Sequence, residues 1–263
     1  MRAEDLDRRL DAVRGRIGVV VSDVAGRTLF ERDGDGEYFA ASVIKLPLVM
    51  AVFAEAARGA VDLGEALAIG SRVDGSGVLR HLRDVTSLTL RDHAALAITV
   101  SDNTATNRII DRVGIDVVNR YLDRWGCSRS HLGRRMYDHD ARAKGVHNVM
   151  TPAEGARLMT LVLRGELVDR ATSDALLDLL HATQDASRLR RYLPEEAWAA
   201  NKSGWDDGIR NDVAAIRASG TVVAAAFACD LANEVEGDVA LGAVGWFAYR
   251  AAGGDAAEPP ELA

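Results

Sequence analysis

Ser42-Val43-Ile44-Lys45 leads into the apolar run Leu46-Pro47-Leu48-Val49-Met50-Ala51-Val52-Phe53, and the reading of the chain turns on this stretch. A run that apolar reads as a buried helix. Helix geometry sets Ser42 and Lys45, three apart, on one face. A serine hydroxyl is a weak nucleophile until a nearby base takes its proton. A buried lysine can be that base, because desolvation and neighbouring positive charge disfavour its ammonium form. The positive end of the helix would also favour an oxyanion formed at Ser42. Taken alone, the tetrapeptide reads more simply as an N-cap serine and a solvated lysine.

Two further motifs shift the balance. Ser101-Asp102-Asn103 follows the helical pattern Leu90 to Val100. It offers a second hydroxyl for relaying a proton and an amide that can hold a carbonyl, although in isolation it reads as a helix cap. Lys202-Ser203-Gly204 lies just beyond the strand-like Ala197-Trp198-Ala199-Ala200. There a lysine supplies charge, a hydroxyl donates, and Gly204 permits close approach of a ligand to the backbone. Its simpler reading is a strand end.

In this order and spacing the three motifs resemble the serine penicillin-recognising enzymes and are most similar to class A β-lactamases, whose signature is S-x-x-K, S-D-N and K-T-G. Gly75-Ser76-Gly77-Val78-Leu79 resembles the turn before the second motif, Ser101 to Ala105 matches in full, and Thr151-Pro152 resembles the start of the helix after the omega loop. Ser203 replaces the usual threonine and keeps the hydroxyl. The resemblance implies an α+β fold: an antiparallel sheet covered by N- and C-terminal helices, an inserted helical lobe, and the site between the lobes. It implies that Ser42 is acylated, that Lys45 is the acylation base, and that Ser101 relays a proton with help from Lys202. Asn103, Ser203 and Gly204 would orient the substrate. Trp205 would place its backbone N–H in the oxyanion hole with that of Ser42, its bulk shaping the acyl side. Arg210, eight residues after Lys202, resembles the arginine that helps that lysine bind a substrate carboxylate; its plainer reading is a strand-end surface residue. The implied reaction opens a β-lactam amide through an acyl-serine, with no metal or organic cofactor. The partner would be a small β-lactam or acyl-peptide, taken by a monomer.

The chain departs from the family in the omega loop, which should run from about Leu132 to Thr151. The family activates water there with a glutamate, and this loop has none. Counting from the flanking motifs puts the missing acid near Arg135, Met136 or Tyr137. Asp138 is the best replacement base and Asp140 the second; Glu166 lies beyond the following helix and cannot serve. Slow deacylation is therefore expected. Two alternatives stay open: a D-amino-acid peptidase, amidase or esterase on a non-lactam acyl substrate, and a penicillin-binding sensor that acylates once. Asp138-His139-Asp140 with His147 also allows a zinc reading, but no H-E-x-x-H or cysteine pair supports it, and a solvated loop is the expectation.

Composition narrows the classes. The chain has 263 residues, 48% of them apolar, and a net charge of −7. That is enough for a substantial core and the wrong sign for an electrostatic nucleic-acid binder. Cys127 and Cys229 are expected to be reduced thiols. No secretory signal and no bilayer-spanning run is visible, so the sequence as written is expected in the cytoplasm without membrane attachment, or exported if an upstream signal was removed. A helix is expected over 3–14, a β-hairpin over 16–31, a helical block from 62 to 184, strands over 212–217 and 221–229, a helix over 237–252 and a frayed tail over 254–263. These form one catalytic domain over 1–263, with an α/β lobe at about 1–60 and 185–263 and a helical lobe at about 61–184.

Overall fold

A computed structural model describes residues 1–259. Strands β1 (Arg16–Asp23) and β2 (Thr28–Arg32) come from the start of the chain, and β7 (Trp198–Asp206), β8 (Ile209–Arg217) and β9 (Thr221–Cys229) from its end. They make one antiparallel sheet in the order β2-β1-β9-β8-β7. Val19 pairs with Ala226 and Val21 with Ala224 across β1 and β9, joining the two ends of the chain. Everything between β2 and β7 is thus an insertion, and it carries helices α2 (Lys45–Ala57), α3 (Leu90–Thr99), α4 (Asn103–Val113), α5 (Ile115–Arg124), α6 (His139–Ala143), α7 (Pro152–Arg164) and α8 (Arg170–His181). Two short pairs also lie in the insertion: β3 (Tyr38–Phe39) with β6 (Val149–Met150), and β4 (Ala66–Ala68) with β5 (Ser87–Thr89).

The sheet is apolar on both faces because both are covered. Side chains alternate across a strand. Val19, Val21, Ala224, Ala226 and Ala228 pack with Leu6 and Leu10 of α1 (Ala3–Asp11) and with Leu241 and Val244 of α9 (Glu234–Ala251). Val20, Ala225 and Phe227 face the other way, into a core shared with α2 and α7. Leu46, Leu48, Val49, Met50 and Val52 of α2 are fully buried. At about 2 kcal/mol per buried side chain, they can offset the cost of carrying Lys45 inside with them.

The fold differs from expectation in several places, the first being that the block expected to be helical over 62–184 also carries β4, β5 and β6. The α-helix begins at Lys45, and Ser42 sits before it in a 3-10 turn, Ala41–Ile44. The third motif lies within β7 and not past its end. Helix α9 starts at Glu234, where the Asn233 side chain accepts from the Val235 N–H at 3.0 Å. The segment 254–259 is pinned: Trp246 Nε1 donates to the Ala257 carbonyl at 2.7 Å, and the Arg9 guanidinium donates to that of Pro259. The rest of the expected tail, 260–263, lies outside the described residues.

Candidate active site

Ser42 stands on a short turn braced from three sides. The Ala40 N–H donates to the Asn148 carbonyl at 2.8 Å, and Asn211 on β8 donates to that of Phe39 at 2.8 Å. From β7, Gly204 presses against the turn: a Cβ there would lie 2.7 Å from the Ser42 nitrogen and 2.9 Å from that of Val43. Any side chain at 204 would push the strand off the turn, and this gives Gly204 its role. Ala41 has φ +45°, a conformation non-glycine residues hold only where surroundings impose it. In a 3-10 turn residues i and i+3 are eclipsed, so Ser42 and Lys45 share one side although Ser42 is not in the α-helix.

The Lys45 ammonium position is fully buried. Its Nζ lies 2.6 Å from the Ser101 carbonyl, 2.7 Å from Asn103 Oδ1 and 3.0 Å from Ser101 Oγ. A neutral amine has two N–H groups and one lone pair. With two N–H groups it can donate to Ser101 O and Asn103 Oδ1, the two shortest of these contacts, and keep the lone pair for a proton. Burial, and then the charge of Lys202, hold the Lys45 pKa well below the usual lysine value. Lys202, also fully buried, reaches the same hydroxyl at 3.2 Å and donates to the Ser203 carbonyl at 2.7 Å. Burial lowers its pKa to about 8 against the opposing pull of Asp212 and Asp185.

The second motif is held by its own aspartate. Asp102 Oδ2 accepts from the Val78 and Leu79 N–H groups at 2.7 and 2.8 Å, and Oδ1 caps α4 through the Ala105 N–H at 2.9 Å. Gly77, at φ +108°, packs directly on Asp102 where no Cβ fits. Asn103 donates Nδ2 to the Asp74 carbonyl at 2.8 Å, so the turn at 74–79 and the motif form one rigid piece. Ser101, at φ +56°, is thereby turned towards both lysines.

Around the third motif lies a set of paired charges, of which the sequence places Arg210 alone at the site. The Ser203 hydroxyl donates to Asp185 Oδ2 at 2.6 Å. Asp185 also binds Arg188 at 2.6 Å, and Arg188 lies 3.1 Å from Asp238. Burial alone would raise the Asp185 carboxyl, but Arg188 and hydrogen bonds from Ser187 and Ser203 bring it below the usual carboxylate range. Buried Asp212 is pushed up to about 6 by burial, despite the hydrogen bond from Asn201. Arg210 turns away from Lys202: it binds Glu234 at 2.5 Å and lies 3.3 Å from Asp238, tying β8 to α9. It does not line the cavities beside Ser42 and Lys202.

The omega loop is clamped by buried amides. The Gly133 and Arg134 N–H groups donate to Asn148 Oδ1 at 2.8 and 2.9 Å, while Asn107 holds both the N–H and the carbonyl of Met136, at 2.8 and 3.0 Å. Of the three positions reached by counting, Met136 and Tyr137 line, with Ser42 and Asn103, a cavity of about 300 Å³. Arg135 binds Asp111. Tyr137 lines the cavity rim, beside Gly75. Asp138, the loop acid the sequence favours as a base, is spent as a cap: its Oδ1 accepts from the Ala141 N–H at 2.9 Å, and neither it nor Asp140 lines the cavity. Trp205, 52% exposed, stands at the mouth shared with a second cavity of about 290 Å³ lined by Ser101, Asp185, Lys202 and Ser203.

Known proteins share this fold. The chain is 29% identical over 212 residues to beta-lactamase L2 of Stenotrophomonas maltophilia, covering 78% of this chain and 69% of that one. A beta-lactamase structure from Sphaerobacter thermophilus superposes with a TM-score of 0.87 at 33% identity, over 95% of this chain and 97% of that one. The L158E mutant of PBP-A, solved as an acyl-enzyme complex with penicillin G, gives 0.84 at 27% identity over 95% of each. The sequence model of the Beta-lactamase enzyme family matches residues 1–252. With that match spanning nearly the whole chain, on a sheet-and-helix fold that gathers the three motifs around one hydroxyl, the protein belongs to the β-lactamase enzyme family.

Proposed function

We propose that the protein is a serine hydrolase of the class A type that opens β-lactam amides through an acyl-Ser42 intermediate and releases the acyl group slowly. The observation that carries this is Lys45: buried, held by Ser101 and Asn103, and disfavoured as an ammonium three residues after Ser42. In the acylation step Lys45 takes the Ser42 proton as Oγ attacks the lactam carbonyl. The negative charge on that oxygen is met by the backbone N–H groups of Ser42 and Trp205. The C–N bond breaks, and the proton passes from Lys45 through Ser101 Oγ to the leaving nitrogen, with Lys202 on the far side of the same hydroxyl. Asn103 and Ser203 orient the substrate. Release requires water to attack the ester, and neither Met136 nor Tyr137, the two counted loop positions lining the cavity, supplies a carboxylate base. The acyl-enzyme complex of the PBP-A mutant supports a covalent intermediate in this fold.

Stopped-flow mixing with a chromogenic cephalosporin tests the reading. A burst of about one equivalent followed by a slow steady phase is expected. Fast turnover without a burst would show that water is activated efficiently elsewhere, and no burst with no turnover would remove β-lactams from the substrate class.

A further inference from the structure

The Lys202-Ser203 end of the cleft carries a carboxylate where the family reading requires a place to receive one. Asp185 lines the cavity with Ser101, Lys202 and Ser203, and its side chain is one-third exposed to it. It has already taken the Ser203 hydroxyl at 2.6 Å. Two arginines and the lysine beside it are engaged as well. Arg188 is paired with Asp185 and Asp238, and Arg210 with Glu234 and Asp238. Lys202 gives two of its N–H groups to Ser203 O and Ser101 Oγ. Asp212, Asp185, Asp238 and Glu234 thus lie against Lys202, Arg188 and Arg210. An incoming carboxylate would meet Asp185 at close range in a partly desolvated site, where like charges repel strongly, while Arg188 and Arg210 are already engaged by carboxylates.

We propose that Asp185 is a specificity-determining residue that selects acyl substrates whose leaving group is neutral or cationic where it reaches Lys202 and Ser203, and that penalises leaving groups carrying a carboxylate there. This rests on the reading of Ser42 as the acylated residue. A neutral amide or hydroxyl on the leaving group would donate to Asp185 Oδ2 in place of Ser203, and an ammonium would add a charge pair. Bicyclic β-lactams carry a carboxylate on the leaving nitrogen's ring, so the same feature slows their acylation. The chemistry at Ser42 is unchanged: its Oγ bonds to the acyl carbon, the leaving oxygen or nitrogen departs with the relayed proton, and water later releases the acid.

The test uses three phenylacetylglycyl aryl esters that differ only in a meta substituent on the phenol: carboxylate, carboxamide and trimethylammonium. Each enzymatic kcat/KM is divided by the ester's spontaneous hydrolysis rate, and Ser42 adducts are followed by intact mass. In the wild-type enzyme the normalised rate is expected to rise from carboxylate to carboxamide to trimethylammonium, by about tenfold across the series, with the spread shrinking as salt screens the charges. Asp185→Asn keeps an acceptor for Ser203 and releases Arg188, and the carboxylate-to-carboxamide ratio should rise about tenfold or more. Because the series is read first on the wild type, a poorly folding variant does not remove the test. Equal normalised rates for the three esters with adducts present, or an unchanged ratio in a folded Asp185→Asn, would overturn this inference alone. Absence of any Ser42 adduct with all three would overturn the reading of Ser42 and this inference with it.

Discussion

Lys45 and Lys202 converge on a single hydroxyl, and two ammonium groups cannot share it cheaply. Burial acts on both, but Lys202 keeps Asp212 and Asp185 nearby and Lys45 has only the more distant Asp102. The charge is therefore held more readily on Lys202, whose pKa is lowered to about 8, than on Lys45, which is the condition the proposed base role of Lys45 requires. The acylation rate should then fall as pH rises through about 8, where Lys202 loses its charge. Lys202→Arg stays protonated and should carry this basic limb to higher pH, even if its absolute rate is lower. The measurement is the acylation rate constant between about pH 6 and 10; an identical limb in the arginine variant would assign it to another group. Stability carries matching signatures of opposite sign. Lys202 titrates lower in the folded state than its ordinary 10.5, so the unfolded chain binds more protons between about 8 and 10.5, and stability rises with pH there. Asp212 titrates near 6 against an ordinary 3.8, so the folded chain binds more protons in that window, and its contribution is lost as pH rises through it.

Among the elements, the omega loop is where sequence and structure part most clearly. The loop is shaped by Asn148, at its own far end, and by Asn107, distant in sequence, and no periodicity within 132–151 announces that they clamp it. Once they do, Met136 faces the cavity and Asp138 falls at the N-cap of α6, where a carboxylate is locally favoured. Asp138→Ala should therefore cost about 1 kcal/mol of stability through the lost cap and leave deacylation within about twofold of wild type. Thermal melts and single-turnover deacylation check both. A large loss of deacylation with the fold intact would return Asp138 to the catalytic machinery. The start of α2 shows a gentler misreading: i, i+3 spacing puts Ser42 and Lys45 together in an α-helix and a 3-10 turn alike, so the pattern could not tell them apart.

For the molecule as a whole, the two ends of the chain build the sheet and the middle supplies the helical lobe, as the alternation of β, helical and β patterns already indicates. The three motifs were legible because each is a contiguous triplet or quartet. Arg188 reads with Arg190 and Arg191 as a solvated basic face, yet it is buried between Asp185 and Asp238; its role, like that of Asp185 on Ser203 and of Glu234 on Arg210, depends on a partner from another element. Sequence thus pointed to the hydroxyls and lysines, while the charges that surround them belong to the fold. The central claim, that this assembly serves to acylate Ser42, is tested most directly by intact-mass spectrometry of wild type and Ser42→Ala after mixing with penicillin G, with peptide mapping of any adduct. The account predicts one penicilloyl group on the Ser42 peptide of the wild type, persisting long enough to be trapped, and none on a folded Ser42→Ala. An adduct that survives in the variant, or one that maps to another residue, would contradict it.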